Sequence, residues 1–171
     1  DAFVAVEDSR FFEHNGFDVP RFTKALLSNI KTRSFSQGGS TFTMQLVKNT
    51  YFSNDEEGTT ASRKGLSGVA RKVQEIALAM ELEKSNEINK RTILELYLNK
   101  INFGGNRNIR GVQKASEYYF GKDVSELNLA ESAMLAGIIN APNAYNPFNN
   151  LELATERRNQ VLYLMNYHGY I

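Results

Sequence analysis

Cysteine is absent from the 171-residue chain, which rules out thiol catalysis, disulfide bonds and thiolate metal sites. An excess of charge of either sign is lacking too. The 20 Lys and Arg against 19 Asp and Glu leave a formal charge of +1, so no global field draws the chain toward nucleic acid. Basic residues that matter must act locally. No apolar run approaches the length that spans a bilayer, and no secretory signal is present. The chain opens on DAFVAVED and stops at HGYI, and it reads as one domain over 1–171, excised from a longer protein. Its two histidines, His14 and His168, are too isolated to argue for zinc. Strand-like alternation, internal repeats and low-complexity tracts are all missing.

What is present reads as helix. Hydrophobic content of 42% with 23% charged residues suits a soluble globular chain with a real core. Pro20 stands in a first helical turn, followed by Phe22, Leu26 and Ile30 at four-residue spacing. TRSFSQGGS (32–40) is a loop, 41–52 a helix, and SNDEEGTT (53–60) a polar connection. The spacing predicts a long helix over 66–84, with Leu66, Val69, Ala70, Val73, Ile76, Ala77 and Met80 as its buried stripe. Ile93, Leu94, Tyr97, Leu98 and Ile101 mark another. After the loop NFGGNRNIR comes a short helix with Val112, Ala115 and Tyr119. Asn128 and Glu131 form a capping box for LAESAMLAGIIN. Pro142 and Pro147 break the chain before a last helix over 151–168, which Gly169 stops.

Four constellations carry chemistry. The acid pair Glu7–Asp8 lies between an apolar run and the aromatics Phe11 and Phe12. Such surroundings suit an acid that exchanges protons, although a helix cap alone explains the pair better when nothing else is considered. In QGGSTFTMQLVKN (37–49), Ser40 and Thr41 open a helix whose free N–H groups favour an anion. Thr41, Gln45, Lys48 and Asn49 then make one polar stripe, suited to a diphosphate or a sugar, or simply to solvent. In ARKVQEIALAMELE (70–83), Lys72, Glu75 and Ala79 share a face with Arg71 beside it. That pattern is either a helix ion pair or an acid held between cations with room for a charged substrate. Tyr97, Tyr119 and Phe120 frame a turn rich in Asn and Gly, as a sugar cleft or, more commonly, as core.

Taken in order, EDSRFFEHNGFD, GGSTFTMQLVKN, RKVQEIALAMELE, LYLNKINFGG…GVQKASEYYFGK and RRNQVLYLM strongly resemble the five successive motifs of the peptidoglycan glycosyltransferases. That family comprises the glycosyltransferase domain of class A penicillin-binding proteins and the monofunctional enzymes. The resemblance implies an all-α fold, with a lysozyme-like large lobe and a smaller membrane-facing jaw lobe. It implies polymerisation of lipid II into β-1,4-linked glycan, with inversion at C1 and release of undecaprenyl pyrophosphate. Glu7 then corresponds to the general base and Glu75 to the second essential acid, near the donor's pyrophosphate directly or through a divalent metal, Mg²⁺ or Mn²⁺. Ser40, Thr41, Gln45, Lys48, Asn49, Arg71 and Lys72 fall on the donor side, with Asp8 orienting. The implied partners are lipid II, the growing glycan chain and the outer face of the bacterial cytoplasmic membrane, with a transpeptidase domain in the parent protein and no nucleic acid. The jaw would offer Phe22, Leu26, Leu27, Ile30 and Phe35, about half of them to lipid.

The chain departs from the family pattern in three places. Met44 stands where the first of two successive glutamines is usual, at the expected expense of one donor contact. The stretch 53–68 is expanded, which obscures the roles of Arg63 and Lys64, and FGGNRNIRGV is longer than the family's turn. Two rivals compete with glycosyl transfer. A lytic glycosidase also uses carboxylates on glycan, but needs no cationic clamp of the kind Lys48, Arg71 and Lys72 offer. A silent scaffold would have no use for both Glu7 and Glu75.

Overall fold

A computed structural model describes residues 1–32, 38–52, 66–85, 87–105 and 109–171. Phe35, Arg63, Lys64 and the 53–65 connection lie outside the described residues, as do the side chains of Ile30 and Leu66. Among the described residues the protein is all-α, as expected. Its helices are α1 (Ala2–Glu7), α2 (Val19–Thr32), α3 (Phe42–Tyr51), α4 (Leu66–Lys84), α5 (Lys90–Lys100), α6 (Val112–Phe120), α7 (Leu129–Ile138) and α8 (Leu151–Tyr167). A 3₁₀ turn, Val124–Glu126, was not foreseen. The loop after α5 closes on one isolated antiparallel bridge, Asn102 to Arg110. The chain divides into two compact units, one of residues 1–9 with 98–171 and one of residues 10–97.

The first unit is organised by α7. From Ala133 to Ile138 every residue of this helix is buried, the pattern of a helix enclosed on all sides. The expected capping box opens it: Asn128 Oδ1 accepts from Glu131 N, and Glu131 Oε2 accepts from Asn128 N, both at 2.9 Å. α8 packs on α7, and α1 lies against both. At six residues α1 is too short to persist alone; Ala2 and Ala5, one turn apart, seat it on Ala133, Ala136, Val161 and Met165. Full burial of a side chain such as Val161 contributes about 2 kcal/mol. α8 starts where Asn150 accepts from Leu153 N at 3.0 Å, and its end is followed by Gly169 at φ 75°, the stop expected from sequence.

Tyr119 is core, not cleft lining. It is buried, donates its hydroxyl to Phe103 O at 2.8 Å and stacks on Phe148. Burial, reinforced by Tyr118, pushes its phenol up to about 12.

In the second unit α3 packs on α4, around Met44, Val47 and Ala79. Thr41 is fully buried at the start of α3, and its hydroxyl is used twice: Oγ1 accepts from Met44 N at 3.2 Å and donates to Gly16 O at 2.7 Å. Gly16 is obligatory there. Its φ is 84°, and a Cβ would lie 2.5 Å from Ala79 O on α4, so only glycine fits between the two helices.

The buried stripe expected on α4 is corrected by the structure. Val69, Ala70, Val73, Ala77 and Met80 are exposed, Ile76 is half-buried, and the residues turned inward are Glu75 and Ala79. Apolar periodicity located the helix but not its inner face, because that face carries the ion-paired Glu75 beside the small Ala79, with Ile76 and Leu82 partly buried against α3.

Two outcomes follow from this packing. Gly16→Ala should lower the unfolding free energy by about 3 kcal/mol, through left-handed strain and the clash with α4, measurable as a drop in midpoint in urea. Tyr119 stays neutral in the folded state up to about pH 12, while an unfolded tyrosine ionises near pH 10. Its stabilising share is therefore complete below pH 10 and lost as pH rises from 10 to 12. Tyr119→Phe should cost about 1–3 kcal/mol at neutral pH, since Phe103 O loses its donor, yet lose less stability than the wild type between pH 10 and 12 in parallel denaturant melts.

Candidate active site

Of the candidate site residues of the second unit, Ser40, just before α3, is brought together with Arg71, Lys72 and Glu75 on α4. On α4, Arg71, Lys72 and Glu75 are spaced i, i+1 and i+4, so both cations reach one carboxylate. Lys72 Nζ donates to Glu75 Oε2 at 3.0 Å, and Arg71 Nε lies 3.6 Å from Glu75 Oε1. The Glu75 side chain is 4% exposed, whereas Arg71 and Lys72 remain partly open to solvent. A buried ionised acid requires such partners. Lys72 Nζ also donates to Ser40 Oγ at 2.6 Å, and this bond spans the 32 residues between two of the sequence motifs. One carboxylate against two cations leaves a net positive charge beside the start of α3, the arrangement that stabilises a phosphate-like anion.

On α3, Gln45, Lys48 and Asn49 are each half-buried. Gln45 is fixed by Tyr97, whose hydroxyl donates to Oε1 at 3.3 Å. Thr41, expected in the same polar stripe, is a buried cap with no hydroxyl to offer a ligand. The opening of the helix expected at Ser40 and Thr41 thus falls on Thr41, whose hydroxyl satisfies Met44 N instead of joining the polar stripe. Met44 is fully buried in the core, so the unusual residue at this position is a packing choice. Tyr97, weighed as cleft or core, is core, packed at 4.6 Å on Phe42.

The first unit carries Glu7 and Asp8. Glu7 is the last residue of α1 and is half-buried. Asp8 follows as the C-cap, its N–H bonded to Val4 O and its side chain fully buried. The adjacent acids thus differ in access, and Glu7 is the one with surface to present.

The carboxylate of Glu75 does not fit a resident divalent metal. Each of its oxygens faces a cation, Arg71 on one side and Lys72 on the other, and a dication there would meet both charges.

Sequence reasoning did not find the links Lys72–Ser40, Tyr97–Gln45 and Thr43–Glu83, in which the Thr43 hydroxyl donates to Glu83 Oε1. All three join residues 32 or more positions apart, and no local spacing signals them.

The Transglycosylase family model matches residues 1–166. The chain is 43% identical over 170 residues to penicillin-binding protein 1A of Streptococcus pneumoniae, covering 99% of this chain and 22% of that protein. It is 39% identical over 171 residues to penicillin-binding protein 1F of Bacillus subtilis, covering 100% and 22%. With penicillin-binding protein 1A of Vibrio cholerae the identity is 43% over 165 residues, covering 96% and 18%. The chain thus spans less than a quarter of each relative. With a match over nearly its full length, the chain belongs to the Transglycosylase family, that of the peptidoglycan glycosyltransferase domains.

Proposed function

We propose that the chain is the catalytic glycosyltransferase domain of a larger class A penicillin-binding protein, polymerising lipid II into β-1,4-linked glycan. The observation that carries this reading is Lys72 Nζ held between Ser40 Oγ and the buried Glu75, a cationic cradle with no purpose in simple hydrolysis. Glu7 removes the proton from the acceptor's 4-hydroxyl. The freed oxygen attacks C1 of the growing chain, the C1–O bond to the pyrophosphate breaks, and the lipid pyrophosphate leaves with the bonding electrons. Configuration at C1 inverts because attack comes opposite the leaving group. Negative charge grows on that group as the bond breaks, and Lys72, Arg71 and Lys48 are the cations that meet it. Ser40, Gln45 and Asn49 supply neutral contacts to the donor, and Glu75 keeps Arg71 and Lys72 aimed. Asp8, being buried, acts by orienting the end of α1. No step is assigned to a metal held by Glu75.

The domain would work at the outer face of the cytoplasmic membrane. No helix among the described residues is long and apolar enough to cross a membrane. The second unit nevertheless presents Val19, Leu26 and Leu27 on α2 and Val69, Val73 and Met80 on α4 to solvent, with Leu27 63% exposed. Such a surface suits the edge of a bilayer. These exposed residues support reading α2 as part of a membrane-facing jaw, and they extend that reading to α4.

Full-length protein incubated with labelled lipid II should yield polymer. Glu7→Gln and Glu75→Gln should each lower the rate by at least about 10²-fold at nearly unchanged melting temperature for Glu7→Gln. Digestion of preformed glycan by the wild type, with no polymer formed, would favour the lytic reading instead. In vesicle flotation, Leu26→Glu with Leu27→Glu should weaken binding to lipid by about tenfold or more, and unchanged flotation would remove α2 from the membrane face.

A further inference from the structure

A second charged cluster lies in the same unit, away from Glu75, and glycosyl transfer as described makes no use of it. Glu83, near the end of α4, has a side chain only 4% exposed, paired at 2.6 Å with Lys90 Nζ at the start of α5, which is 22% exposed. Glu83 also accepts the hydroxyl of the fully buried Thr43 on α3. Lys90 Nζ sits 4.4 Å from the centre of the Phe11 ring. Phe11 meets Phe42 edge to face at 5.2 Å, Phe42 packs on Tyr97, and Tyr97 donates to Gln45. The contacts form a closed circuit. It leaves α3 at Thr43, runs through α4 and α5, and returns to α3 at Phe42 and Gln45.

A buried ion pair is a poor source of stability, because apolar residues of the same volume often serve as well or better. What it supplies is direction: apolar packing tolerates sliding, whereas three polar atoms that must meet tolerate little. Thr43 lies less than one helical turn from the start of α3, where Ser40 meets Lys72. The circuit therefore fixes the axial position and rotation of the helix that presents Ser40 and Gln45.

We propose that Thr43, Glu83 and Lys90 are positioning residues for the donor site, setting the register of α3 against α4 at the moment the pyrophosphate leaves. This rests on the glycosyl-transfer reading above. Because the register matters where charge develops, its loss falls on kcat more than on KM, and a displacement near 1 Å is enough for a large effect.

The experiment compares full-length wild type with Thr43→Val, the double variant Glu83→Met/Lys90→Met, and Lys90→Arg, by lipid II polymerisation and thermal melting. Thr43→Val and the double variant should melt within about 5 °C of the wild type yet lose about tenfold or more in kcat, with KM for the donor changed less than about threefold. Lys90→Arg keeps the charge and the ring contact and should retain most of the turnover. Wild-type kcat in Thr43→Val and in the double variant would overturn the proposal, leaving the cluster a structural pair. Should the double variant fail to fold, the kcat of Thr43→Val decides alone. A wild type that makes no polymer would instead sink the glycosyl-transfer reading, which separates the two failures.

Discussion

The candidate site depends on one constraint: a carboxylate, Glu75, is held inside the protein and must be matched there. Its desolvation would be prohibitive alone, so Lys72 and Arg71 are drawn to it from the preceding turn of α4. Lys72 then has a donor left for Ser40, and that bond brings the start of α3 to α4. The inward face of α4 is consequently polar at Glu75 and small at Ala79, where Gly16 and α3 make their close approach. Val69, Val73, Leu78 and Met80 of the helix are displaced to the outside. Position of charge, choice of small residues and exposure of valines on α4 are thus one consequence, followed outward.

That same displacement explains where the sequence was readable and where it was not. Helices were legible because their signals are local: the capping box at Asn128, the stop at Gly169, the breaks at Pro142 and Pro147. The motif series gave the family for a similar reason, since its order is linear. The inner face of α4 was misread because periodicity reports an apolar stripe and assumes that it is buried. At a site that must hold charge, the assumption fails, and the stripe becomes surface. Thr41 left two readings open, helix cap and member of the polar stripe. A hydroxyl beside a Gly-Gly turn fits a ligand donor and a helix cap equally well in one dimension, and only Gly16 O and Met44 N in three dimensions decide it.

Gly16 shows how closely these elements are tied. Its carbonyl takes the Thr41 hydroxyl, and its missing side chain admits Ala79 O. One residue of the first motif therefore touches the second and the third. The five motifs are widely spaced along the chain, but three of them share contacts within a few ångströms. A motif can then be required by packing as much as by chemistry, and Met44 illustrates the difference. It sits within the second motif, yet its neighbours are Val47 and Ala79, so its side chain answers to the core.

The distinction between transfer and hydrolysis can be pressed further from hydrogen bonding alone. A glycosidase needs one carboxyl group as a proton donor to the departing oxygen. Glu75 Oε2 already accepts a hydrogen bond from Lys72, and Oε1 lies in an ion pair with Arg71, so each oxygen is turned to a cation rather than to a departing sugar oxygen. A sugar leaving on a pyrophosphate needs no such donor, because the phosphate carries its own negative charge away once cations stand ready for it. What the structure gives Glu75 is two cationic partners, Lys72 and Arg71.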